Sequence, residues 1–132
     1  MAKPRPKAIP KRPRPLLAPS SALIDFALGL PGTSDDVKWQ DNYVIMVGGK
    51  MFAIFECDAP SLYAFKCDPE DFERLCERPG IIPAPYAARF GWVKVAKPGA
   101  LKAAEARKLI AKAHGLVLAC LPAKKRAEIE RG

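Results

Sequence analysis

One histidine, His114, is the whole imidazole supply of this 132-residue chain, and its scarcity removes most routes to catalysis. No Ser-His-Asp or Cys-His order surrounds it, and no glycine-rich phosphate loop or metal-ligand spacing occurs anywhere. His114 falls within a long helical stretch, where a packed or a surface residue is expected rather than a base. The expectation is therefore a protein that is not an enzyme, with no cofactor and no metal. No apolar run approaches the roughly 20 residues that a membrane span requires, and the N-terminal charges are not followed by the apolar stretch of a secretory signal. A cytoplasmic protein without membrane contact is expected. The four cysteines, Cys57, Cys67, Cys76 and Cys120, form no CxxC pair, which reads as reduced, mostly buried thiols.

Acid is missing from one place in particular. Residues 1–19 hold Lys3, Arg5, Lys7, Lys11, Arg12 and Arg14 and no Asp or Glu, so they carry +6 of the net +8. Residues 20–132, with 16 basic and 14 acidic side chains, carry only +2. Pro4, Pro6, Pro10, Pro13 and Pro15 alternate with those cations, removing backbone donors and favouring an extended chain that is disordered when free. Such an arm can follow a phosphate backbone and gain affinity by releasing counterions; the plainer alternative is a solubilising tail. The run PKRPRP at 10–15 is similar to the arginine-flanked core of an AT-hook, with Pro13 where that motif has Gly.

What the chain does have is a single domain at 20–132, with the clearest pattern at 43–67, YVIMVGGKMFAIFECDAPSLYAFKC. Three runs rich in Val, Ile, Phe, Tyr and Met, split by Gly48-Gly49 and by Asp58-Ala59-Pro60, predict an antiparallel meander. A two-residue turn sets Val47 opposite Lys50 and Met46 opposite Met51; a three-residue second loop sets Phe55 opposite Tyr63. Strict alternation then sorts the side chains. Val44, Met46, Met51, Ala53, Phe55, Cys57, Tyr63, Phe65 and Cys67 form an uncharged face, expected to be the core. Tyr43, Ile45, Phe52 and Ile54 share the other face with Lys50, Glu56 and Lys66.

Around the meander, Ser20 or Ser21 caps a helix running to about Leu30, and 35–39 reads as an edge strand ending at Trp39. The adjacent Asp35-Asp36 pair points to opposite faces there, which suits a solvated turn rather than acid/base chemistry. Asp68 as N-cap with Pro69 behind it starts a second helix with Phe72, Leu75 and Cys76 inward. Pro83 and Pro85 force an extended path into a last strand at 92–95. A long amphipathic helix covers about 101–121, and Pro122 precedes a charged, partly helical end. The fold class is α+β, an antiparallel sheet packed on one face by helices, preceded by the basic arm.

The order of these pieces resembles the MmcQ/YjbR family. The matching stretches are ALGLPG at 27–32, Val37 to Trp39, VGGKMFA at 47–53, KCDPED at 66–71, RPGIIPAPY at 78–86 and GWV at 91–93. Leu109-Ile110, then Leu116-Val117, followed by LPAKKRAE at 121–128, complete the set, so the resemblance spans about 22–128. The family often has Ser-Tyr where this chain has Ala113-His114, and the basic arm lies outside the shared domain. The resemblance implies a frataxin-like fold and a small bacterial protein of the kind described as DNA-binding.

Two functions compete. In the first, DNA or another nucleic acid meets the arm and a sheet face where Lys50, Lys66, Phe52 and Tyr43 cluster near Trp39, with Arg89 and Lys94 extending the basic surface; interleaved cations and aromatics contact phosphates and stack on bases. In the second, the same face binds a protein, a small ligand or a second copy, in a monomer or weak homodimer.

Overall fold

The computed structural model describes residues 19–39 and 41–131. Ser21 accepts the Ile24 backbone N–H at 3.1 Å and so starts α1, Ala22–Leu28, whose Ile24 and Ala27 are buried. A turn leads to β1, Thr33–Lys38, and then to β2, Asn42–Val47, and β3, Lys50–Glu56. β4, Tyr63–Lys66, is followed by α2, Pro69–Cys76. Here Asp68 caps the helix by accepting the Asp71 N–H at 2.8 Å, and Pro69 fills the first turn, where its missing donor is harmless. β5, Ile81–Pro83, a single 3-10 turn at Ala88–Phe90 and β6, Trp92–Val95, come next. The chain closes with α3, Ala103–Ala119, which runs through the exposed Gly115, and α4, Ala123–Arg131.

The six strands form one fully antiparallel sheet in the order β1-β2-β3-β4-β6-β5. α3 lies across β2, β3 and β4, α1 packs on β1 and α3, and α2 packs on β5 and β6. Between helices and sheet sits a core that includes Tyr43, Ile45, Val47, Phe52, Ala53, Phe55, Phe65, Leu75, Val93, Val95, Ile110 and Ala113. Each large side chain sealed there contributes roughly 1.5–3 kcal/mol. At the β2–β3 turn Gly48 and Gly49 both have positive φ, 59° and 85°. A Cβ on Gly48 would stand 2.6 Å from the buried Leu121, so the turn tucks under the α3–α4 junction only because that atom is missing.

The alternation expected for the meander holds only in part. Met46 faces Met51 and Val47 faces Lys50 as expected, but Ile45 faces Ala53 rather than Phe52. The register shifts between Ile45 and Met46, leaving Phe52 as an extra residue in β3. One residue of slip exchanges faces. Tyr43, Ile45 and Phe52 therefore join Ala53, Phe55, Tyr63 and Phe65 beneath the helices, while Val44, Met46 and Met51 leave the core side. Phe52 meets the edge of His114 at 5.4 Å and 88°. The cysteines also differ from expectation: all four are free, but only Cys67 is buried, and Cys120 is exposed beyond the end of α3.

An ion-pair network ties α2 to α3. Lys112 reaches Asp68 and Asp71 at 2.8 Å each, Arg74 reaches Asp71 at 3.0 Å, and Arg78 reaches Glu105 at 2.7 Å. The Lys112 ammonium holds the Asp68 and Asp71 carboxyls below the usual range, and the Arg78 guanidinium does the same for Glu105. The acidic start of α2 is thus engaged within the fold.

Candidate functional site

The buried residues of α1, α2 and α3 join the core side of the sheet, and towards the opposite face the 3-10 turn at Ala88–Phe90 packs on β6. The period of two, read from the buried partners, places Ser34, Asp36 and Lys38 of β1 on this face, with Val44 and Met46 of β2 and Ile54 and Glu56 of β3. Ala64 and Lys66 of β4, Trp92 and Lys94 of β6 and Ile82 of β5 continue it. Val44 and Trp92 are buried even here, and Ile82 is exposed. Two features stand out, one at each end of the strands.

The first lies where β4 ends and β6 begins. A cleft of about 700 Å³ is bounded by Lys66, Phe72, Glu73, Leu116 and the 3-10 turn with Arg89 and Phe90. The Lys66 ammonium donates to the Phe90 carbonyl at 2.8 Å, and the Arg89 guanidinium sits 4.8 Å from the centre of the exposed Phe90 ring. The 3-10 turn is held close by Gly91: its φ is +83°, and a Cβ there would meet the Cys67 carbonyl oxygen at 2.8 Å. The Cys67 N–H donates to the Gly91 carbonyl at 2.7 Å. Lys50, exposed at the start of β3, belongs to the same end of the sheet. Lys50, Lys66 and Arg89 make no ion pair among the described residues.

The second is a groove of about 190 Å³ towards the other end. Ile54, Ala64 and Trp92 give it an apolar floor, Asn42 borders it, and residues 84–87 fold across it. The Glu56 carboxylate and Lys94 ammonium face each other there at 2.8 Å. Trp39 and Tyr86, the only non-glycine residues with positive φ among those described (52° and 66°), are both exposed.

Of the residues expected to touch a nucleic acid, the fold sets Lys66 and Arg89 beside one cleft, places Lys50 at the same end of the sheet but opposite Val47 on the helix side, and leaves Trp39 exposed at the tip of the β1–β2 turn. Tyr43 and Phe52 are corrected. Both are fully buried on the helix side, Tyr43 hydrogen-bonded to Asp35, and neither ring is open to a base. The cluster of Lys50 and Lys66 with Phe52 and Tyr43 therefore does not form. Lys94 is not a free cation but Glu56's partner. Lys3, Arg5, Lys7, Lys11, Arg12 and Arg14 lie outside the described residues. The sequence reading missed Phe90, Tyr86 and the Glu56–Lys94 pair. Phe90 and Tyr86 could have been flagged as bulky aromatics in a Pro- and Gly-broken stretch; the pair joins β3 to β6, strands that β4 separates.

The groups a reaction would draw on are restrained. His114 is buried, with its Nε2 2.7 Å from the Pro31 carbonyl, where that nitrogen donates. Burial pushes the Cys67 thiol up to about 12, as it does the Tyr63 hydroxyl. Among the described residues no group of three or more His, Cys, Asp or Glu side chains is placed to hold a metal, and no helix is long and apolar enough to cross a membrane.

The family model described as YjbR matches residues 28–116. A crystal structure of Deinococcus radiodurans protein DR2400, carrying a domain called DUF419, is similar with a TM-score of 0.71 at 24% identity, over 82% of this chain and 85% of that one. A Pseudomonas syringae protein is similar with a TM-score of 0.57 at 26% identity, over 70% of this chain and 93% of its own. No curated protein matches.

Proposed function

The chain belongs to the YjbR family, and from that premise we propose that it is a small, non-catalytic, cytoplasmic nucleic-acid-binding protein. Its phosphate contacts come from the Lys50, Lys66 and Arg89 end of the sheet and from the basic residues at 3–14. The observation that carries this reading is the cleft where Lys66, Arg89 and the exposed Phe90 converge: neither cation is ion-paired among the described residues, although Asp68 and Glu73 also line the cleft and Asp68 is already engaged by Lys112. Cations so placed meet phosphates, and a ring beneath a guanidinium is a platform for a base. The non-catalytic part of the reading is supported by the engagement of His114 and by the protonated Cys67.

The test is fluorescence anisotropy with generic oligonucleotides at low and moderate salt, for the whole chain, for a chain beginning at Ala18 and for Arg89→Glu. If each of the six cations at 3–14 neutralises one phosphate, their removal flattens the slope of log K against log salt by about 5. Arg89→Glu weakens binding to all sequences alike. Binding that ignores salt, or no binding at low salt, defeats the proposal.

A second reading, a protein-interaction module that pairs with its own copy, is favoured by one observation: Ile82 is 42% exposed on β5, an edge strand. Light scattering after size exclusion separates the two, since a salt-insensitive dimer disrupted by Ile82→Asp supports only this one.

A further inference from the structure

The groove across β3, β4 and β6 is chemically unlike the basic end. Its charged groups, Glu56 and Lys94, neutralise each other at 2.8 Å, and the two side chains remain 37% and 31% exposed. A phosphate gains little from a net-neutral pair, whereas a neutral polar ring gains an acceptor from Glu56, a donor from Lys94 and both from the Asn42 amide. The floor of Ile54, Ala64 and Trp92 suits the flat face of such a ring. A volume of about 190 Å³ is below that of drug-sized pockets, which begin near roughly 300 Å³, and so admits one heterocycle rather than a helix or strand.

The rim adds a second, independent observation. Tyr86 stands between Pro85 and Ala87, which line the groove, and is wholly exposed at φ +66°. Trp39 precedes the Asn42 border in the β1–β2 turn and is 63% exposed at φ +52°. Bulky residues rarely adopt this backbone conformation, and here neither ring is repaid by burial. A large ring held in water by strained backbone and bracketed by residues that line a ring-sized slot, as Tyr86 is, is what stacking requires.

We propose that this groove receives a single unpaired nucleobase, with Tyr86 and Trp39 stacking on it or its neighbours, so that the nucleic acid bound is single-stranded. The proposal rests on the nucleic-acid reading above and narrows it. A duplex hides its base faces and could use only the Lys50, Lys66 and Arg89 end; a single strand uses both, its phosphates there and one base in the groove.

The experiment compares a short single strand with the duplex of the same sequence by fluorescence anisotropy, using the full chain, Tyr86→Ala and Asn42→Ala. In parallel, Trp39→Phe leaves Trp92 as the sole tryptophan reporter. The single strand is expected to bind more tightly than the duplex. Tyr86→Ala, which removes an exposed side chain and melts no lower than the wild type, loses about tenfold or more for the single strand, the weight of one base–aromatic stack, and nothing for the duplex. Asn42→Ala reduces discrimination between homopolymeric strands, and Trp92 emission responds to single strand alone. Duplex binding as tight as single-strand binding, or single-strand binding indifferent to both variants, overturns the groove while leaving the nucleic-acid reading intact. Failure of both probes to bind at low salt removes both.

Discussion

Phe52→Ala separates the two possible faces of β3. In the structure Phe52 is the extra residue of the bulge, fully buried and set edge-on against His114 at 5.4 Å. Replacing a buried Phe by Ala costs about 3–5 kcal/mol, because α3 and the sheet cannot close over the lost ring. Against a total stability of roughly 5–15 kcal/mol for a domain of this kind, that is a large fraction. With a urea slope of about 2 kcal/mol/M, the unfolding midpoint should fall by about 2 M. The assay is urea unfolding followed by far-UV circular dichroism, with Ile54→Ala on the opposite face as a control. Ile54 is only half-buried, and its truncation should cost about 1 kcal/mol by the area it removes. The reasoning is refuted if Phe52→Ala costs no more than the Ile54 control yet weakens oligonucleotide binding, for then the ring lies on the open face.

Three further outcomes follow from the packing. Lys112→Ala should lower the melting temperature near neutral pH, since it leaves Asp68 and Asp71 without their shared cation. Because these carboxyls titrate below their unfolded values, the stabilisation is full above about pH 4 and is lost as the pH falls through the depressed folded values. The wild type and the variant should therefore converge on acidification, and a gap that widens contradicts the network. Gly48→Ala should destabilise by at least about 1 kcal/mol in thermal or urea unfolding, from its positive φ and its contact with Leu121; a neutral result would disprove the close approach. Maleimide labelling near neutral pH, followed by mass spectrometry, should modify exposed Cys120 first and buried Cys67 last, and the reverse order would show that the core is not closed.

Much of this protein is decided locally. Ser21 and Asp68 cap their helices because a short polar side chain reaches the free N–H groups three residues on, Pro69 sits where no donor is needed, and Gly48-Gly49 alone permits the tight β2–β3 turn. These signals, with the hydrophobic periods between them, determined the number and kind of most elements, the α+β class and the basic character of the first residues. What they did not determine was which face of the meander is buried. That rests on a single inserted residue, Phe52, which α3 and His114 hold in the core and which swaps the faces of β2. The candidate site likewise needed the tertiary structure. Lys94 finds Glu56, and residues 84–87 fold over Ile54, through a strand order that sets β6 between β4 and β5. Periodicity along one strand carries no information about a neighbour contributed thirty or more residues away, and only the assembled sheet brings those groups together.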